Sequence, residues 1–238
     1  MRVTRVLHLT DTTLTSYVWD GETFIPDIAF EQSDAGRSGF RAYLQREPDK
    51  VTALLVAVAE EEHRIESIPH VRQSEKRAIA KRRLAKAFRR TEYRSFQLQG
   101  EDPRHEHHDR LLLSALTRPA IISPWLDILD DCRVPVTGVY STTVVSKQLL
   151  ARLGIGSSKT LLITHYCDGR VRHTFFGNMN INGTRLLPKP PTTALKNVQG
   201  IARRLEESLR YFDPSFIPKP GSEVDAIIVA DRPITATL

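Results

Sequence analysis

Apolar and polar positions alternate at the start of the chain in three short blocks, residues 3–10, 14–19 and 23–30, which predict three strands in a meander. Asp20-Gly21, between the second and third blocks, is a hairpin signal because both residues tolerate positive φ. A helix is predicted over 39–46, ending before Pro48. Residues 51–59 (VTALLVAVA) are apolar almost without a break, the pattern of a strand covered on both faces. A further strand is predicted at 64–70, closed by Pro69. Ser74 then predicts the cap of a helix over 75–91. In that helix Ala80, Leu84, Ala87 and Phe88 fall on one side with Ala85 beside them, which leaves Lys81, Arg82, Lys86 and Arg89 outward. The stretch RSFQLQGEDPRHEHHD reads as a polar connection. Next come a strand at 110–117, a helix over 119–131 (starting at Ser123 if Pro124 is to lie in its first turn), a strand at 134–141 and a helix over 142–153. Gly154 suits the positive φ that ends such a helix.

The last third repeats the opening. Strands are predicted at 159–166, 170–176 and 180–187, with Asp168-Gly169 as a hairpin tip, then a helix over 192–212 and an apolar strand at 224–230. Three strands, a helix and a buried strand therefore occur twice, near 3–58 and 159–230, and duplicated units say more than either alone. The second unit stops soon after its last strand. The expected organisation is α/β with mixed sheets and covering helices: a first half at 1–153 carrying an inserted basic region at about 60–109, and a second, incomplete half at 154–238.

Composition narrows the function classes. Of 238 residues, 40% are hydrophobic and 26% charged, a globular balance. The longest apolar run is too short to cross a bilayer, and the first residues lack the apolar centre of a signal peptide, so a cytoplasmic location is expected. Cys132 and Cys167 are the two cysteines and suggest small buried side chains rather than a disulfide scaffold or zinc site. The net charge of +6 is concentrated: residues 72–94 hold ten lysines and arginines against Glu75 and Glu92, a local +8, so the remainder sums to −2. The outward face of that basic helix reads either as a solvated surface or as one that meets an acidic partner or an anionic membrane surface. Nucleic acid stands behind these, because Phe88, Tyr93 and Phe96 are the nearby rings and Phe88 is committed to packing.

Other motifs contribute less. GIGSSKT at 154–160 has Leu153 and Ser158 where a phosphate-binding loop needs glycine, and it follows a helix instead of preceding one. His105, His107 and His108, with Glu106 and Asp109, lack the second separated ligand pair of a structural metal site. His165 and His173 have no nucleophile pattern nearby and suit a core or sheet face.

The repeated meander, with LLLSALTRPAIISPWLDILDDCRVPVTGVYSTTVVSKQLLARLG and KTLLITHYCDGRVRHTFFGNMNINGTRLLP, resembles the actin-like ATPase superfold, built of two ribonuclease-H-like halves. More closely it is similar to the pilus-assembly and type II secretion proteins that form cytoplasmic inner-membrane platforms. The resemblance rests on the helix around Trp125-Leu126 and on Gly169, Arg170, Thr174, Phe175, Phe176 and Thr184-Arg185-Leu186. It implies two turns that hold ATP phosphates, one per half, where bare backbone lets N–H groups approach. The first matches Asp11, Thr12 and Thr13, with a carboxylate for magnesium but threonines in place of glycines. The second would fall at Thr164-His165-Tyr166, bulky and without a carboxylate. The expectation is a non-catalytic scaffold without cofactor, peripheral at the inner membrane, whose partners are a cytoplasmic assembly ATPase or an inner-membrane assembly protein. The alternatives are a nucleotide-binding actin-like ATPase with ATP and magnesium, and a nucleic-acid module working through the basic helix.

Overall fold

The computed structural model describes residues 2–155, 159–166, 169–188 and 225–229. Along the chain run β1 (Arg5–Thr10), β2 (Thr13–Trp19), β3 (Phe24–Glu31), α1 (Asp34–Arg46), β4 (Thr52–Ala57), β5 (Glu61–Pro69), α2 (Gln73–Ala87), β6 (Arg94–Glu101) and β7 (His108–Leu116). After a 3-10 turn at Pro119–Ile121 follow α3 (Ser123–Asp131), β8 (Val136–Ser141), α4 (Thr142–Arg152), β9 (Thr160–His165), β10 (Val171–Gly177), β11 (Asn180–Leu187) and β12 (Asp225–Val229). Two compact units emerge: Met1–Ala59 with Pro119–Ser146 and Tyr166–Asp168, and Glu60–Arg118 with Lys147–His165 and Gly169–Leu238.

The first unit holds a five-stranded sheet in the order β3-β2-β1-β4-β8. The β1–β2–β3 meander is antiparallel, whereas β4 and β8 are parallel additions, β1 pairing Arg5 with Thr52 through Thr10 with Ala57. The turn before β3 forms as expected: Asp20 Oδ1 accepts the N–H groups of Glu22 and Thr23, both at 2.8 Å, and Gly21 takes φ +119°. Those N–H groups also lower the Asp20 pKa. Leu7, Leu9, Leu14 and Leu54 are fully buried in this sheet. Phe40 of α1 lies edge-on to Phe30 of β3 and to Trp125 of α3, with centroids 5.2 and 5.4 Å apart.

Helix α1 starts earlier than its glycines suggest. Ser33 caps it by accepting the Gly36 N–H at 3.1 Å. Gly36 earns its place sterically, since a Cβ there would collide with the Glu31 carbonyl oxygen. Helix α3 begins at Ser123 with Pro124 in its first turn, as the proline requires.

The second unit combines two sheets, β5-β7-β6 and β11-β10-β9-β12. The latter repeats the opening grammar: an antiparallel meander, then β12 parallel to β9. Gly169 has the φ of +85° expected of a hairpin tip. Asp168, Cys167, the predicted 192–212 helix and residues 156–158 of the 154–160 loop lie outside the described residues.

Two expectations are corrected. The polar connection after the basic helix contains a strand, β6, because Phe96 and Leu98 alternate inward while β6 pairs with β7. Ser74 does not cap α2; Arg72 stands at the cap position without a side-chain hydrogen bond, and the helix ends at Ala87 with Phe88 as its C-cap. The region at about 60–109 is an insertion by connectivity, since β4 and β8 are neighbours in the first sheet. Its core nevertheless belongs to the second unit. Ile65 of β5 and Leu112 of β7 pack with Leu162, Phe176 and Ile181. Arg172 Nη2 donates to the Glu61 carbonyl at 2.8 Å, and Asn180 Nδ2 to that of Gln99 at 2.9 Å. Among the described residues no helix is long and apolar enough to cross a membrane.

Candidate functional site

The β1–β2 turn is built around a threonine. Thr10 is buried, and its Oγ1 accepts the N–H groups of Thr12 at 3.4 Å and Thr13 at 3.1 Å. The same oxygen lies 3.1 Å from Thr13 Oγ1 and 3.5 Å from Thr12 Oγ1. The backbone donors of this turn are thus directed at a side chain of their own strand. Gln32, just after β3, fixes the turn from behind. Its Nε2 donates to the Thr10 carbonyl at 3.1 Å, its N–H to the Thr12 carbonyl at 3.0 Å, and its Oε1 accepts from the buried Trp125 Nε1 at 3.0 Å. Asp11 sits half-buried at the tip between these threonines.

Gln32 was not visible as a site residue in the sequence. A lone glutamine beside a glycine-rich stretch carries no periodic or motif signal, and its role arises from three segments meeting. At the end of β9, in Thr164-His165-Tyr166, His165 is half-buried and Tyr166, directly after the strand, is buried. His173 is buried on β10.

The second candidate is the basic helix. Ala80, Leu84 and Phe88 are buried against Ile68, Leu111, Leu113 and Ala115 of the three-stranded sheet, with Ile79, Ala87, Phe96 and Leu98 completing the cluster. Burying Leu84 and Phe88 stabilises this docking by roughly 1.5–3 kcal/mol each. Ala85, which the periodicity put beside the buried stripe, is exposed. Two cations of the run are paired: Lys76 Nζ lies 2.5 Å from the buried Asp109, and Arg83 lies 3.5 Å from Glu66. Burial pushes the Asp109 carboxyl up, but Lys76 and His70 outweigh it and hold the pKa below the usual value. Lys81, Arg82, Lys86 and Arg89 are exposed as expected, and among the described residues no carboxylate lies within 4.0 Å of them.

The histidine loop is held by local contacts. His105 Nδ1 lies 3.0 Å from Asp102 Oδ2, His108 Nδ1 lies 2.8 Å from the Glu106 carbonyl oxygen, and His107 has φ +59°. Among the described residues no group of three or more His, Cys, Asp or Glu is placed to hold a metal ion.

No family model matches the chain, and no curated protein matches it in sequence. Solved structures do match. One described as the PilM–PilN type IV pilus biogenesis complex has a TM-score of 0.61 at 10% identity, over 94% of this chain and 80% of that one. The cytoplasmic domain of EpsL, an inner-membrane component of the type II secretion system of Vibrio cholerae, gives 0.47 at 10% identity, covering 96% of this chain and 83% of that one. A protein of Bacteroides thetaiotaomicron with an actin-like ATPase fold and unknown function gives 0.47 at 9% identity, covering 94% and 90%. With its two meanders, each extended by a parallel strand, the chain has an actin-like fold, similar to that of the pilus-complex structure.

Proposed function

We propose that the chain is a non-catalytic scaffold of a type IV pilus or type II secretion-like assembly, working through protein–protein contacts. The observation that carries this reading is the Thr10 hydroxyl, which takes up the Thr12 and Thr13 N–H groups. A triphosphate gripped by this turn would need those donors free and side chains absent. The residues present therefore do not fit ATP with magnesium. The buried Tyr166 after β9 supports the same conclusion for the second turn.

The pilus or secretion setting is supported by the fold shared with a structure of a pilus biogenesis complex. Partners of the matching kind are a cytoplasmic assembly ATPase or an inner-membrane assembly protein, with the chain peripheral on the cytoplasmic side. Calorimetry with magnesium-ATP tests the central point. No heat of binding is expected at micromolar nucleotide. Micromolar binding would replace the reading with that of a nucleotide-binding actin-like protein, and turnover would make it an ATPase.

A further inference from the structure

We propose that Lys81, Arg82, Lys86 and Arg89 form an adhesion surface for an anionic phospholipid bilayer, holding the second unit against the headgroup phosphates through charge alone. The inference does not depend on the loss of phosphate chemistry in the β1–β2 turn.

The charge is local: residues 72–94 sum to +8 while the remainder of the chain sums to −2. It is also outward and uncompensated. Lys76 turns inward to Asp109 and Arg83 meets Glu66, whereas the four named residues are exposed with no carboxylate within 4.0 Å among the described residues. Arg82 and Lys86 stand four residues apart, a spacing at which like charges repel along a helix. Glu75 is the exposed acid of α2 and lies in its first turn, so the cations occupy the C-terminal half and the turn after it. An anion brought to this face relieves the repulsion.

The neighbouring side chains select the kind of anion. Single-stranded nucleic acid is held by ring faces as well as by cations. Here Phe88 is buried, Phe96 packs in the same core, and Tyr93 is half-buried. Protein interfaces are centred on large apolar or aromatic anchors. Among the described residues none of the exposed large hydrophobics falls in 72–94, and the outward apolar positions of α2 are Ala78 and Ala85. A bilayer surface requires neither feature. Its phosphates are a diffuse sheet of charge, and juxtaposed lysines and arginines add to its attraction one by one. The helix does not insert, because Ala80, Leu84 and Phe88 are already used against the sheet.

The test is co-sedimentation of the full chain with phosphatidylcholine vesicles, with and without about one third phosphatidylglycerol. Binding is expected with the anionic vesicles and not with the neutral ones, and it should weaken as salt rises. Each cation changed to glutamine should lower the partition coefficient on the order of fivefold, and all four together several hundredfold, with the circular dichroism spectrum unchanged. Arg82→Lys with Arg89→Lys keeps the charge and should keep the binding. Equal binding to neutral vesicles, or undiminished binding by the folded fourfold variant, overturns the proposal. So does tighter binding of an oligonucleotide or an acidic peptide than of the anionic vesicles at the same salt, since that assigns the surface to another partner.

Discussion

Gln32→Met removes the side-chain hydrogen bonds that tie the β1–β2 turn to α3 while nearly preserving side-chain length. The Trp125 indole is fully buried, so its Nε1–H, now 3.0 Å from Gln32 Oε1, would have no acceptor there. An orphaned buried donor costs about 1–3 kcal/mol, and loss of the bond to the Thr10 carbonyl adds about 1 kcal/mol. The first unit should lose about 2–4 kcal/mol, which for a protein of this size lowers Tm by roughly 5–15 °C. Trp125→Phe deletes the indole donor and some ring volume, at about 1–3 kcal/mol by partial cavity formation. In the double variant no indole N–H remains to be orphaned. Its loss should therefore fall short of the sum of the single losses by about 1–2 kcal/mol. Urea unfolding followed by intrinsic fluorescence suits the cycle, because Trp19 and Trp125 are the two tryptophans and both lie in the first unit. Additivity within about 0.5 kcal/mol would show that the Gln32–Trp125 contact contributes nothing, and would remove the account of how the turn is held.

Other outcomes follow from the same packing. Gly36→Ala places a Cβ against the Glu31 carbonyl oxygen, so α1 must shift and stability should fall by about 1–3 kcal/mol in urea unfolding, although alanine is the better helix former. Leu84→Ala should cost about 2–5 kcal/mol in the second unit, whereas Arg82→Ala, on the exposed side of the same helix, should stay within about 0.5 kcal/mol, as read by circular dichroism on urea titration. Asp102 is buried, which pushes its carboxyl up, but the His105 imidazole and the Arg104 N–H hold it at about 2, below the ordinary 3.8. A depressed folded-state pKa means its contribution is complete above about pH 4 and is lost as pH falls toward 2. Asp102→Asn should therefore remove about 2 kcal/mol at neutral pH and flatten acid unfolding in that window, with an unchanged profile counting against the assignment.

Much of this protein is written in local chemistry. The Asp20-Gly21 turn, the proline-led start of α3 and the apolar run of β4 each depend on neighbours in sequence, and each formed where the pattern put it. The outward placement of Lys81, Arg82, Lys86 and Arg89 followed likewise from the 3.6-residue period. Strand β6 shows where this reading weakens. Phe96 and Leu98 do alternate, but two apolar side chains among polar ones acquire a strand's meaning only when β7 lies beside them.

The sequence by itself determined the duplicated meander, the basic helix and the threonines of the first turn, because each is written in residues close together along the chain. Only the tertiary structure decided that residues 60–118 share a core with β9, β10 and β11, that Lys76 turns inward to Asp109, and that Gln32 links the turn to Trp125. Those outcomes join residues tens of positions apart. Burial and hydrogen-bond satisfaction select such partners from many chemically equivalent ones, and that selection exists only once the sheets have closed over the core.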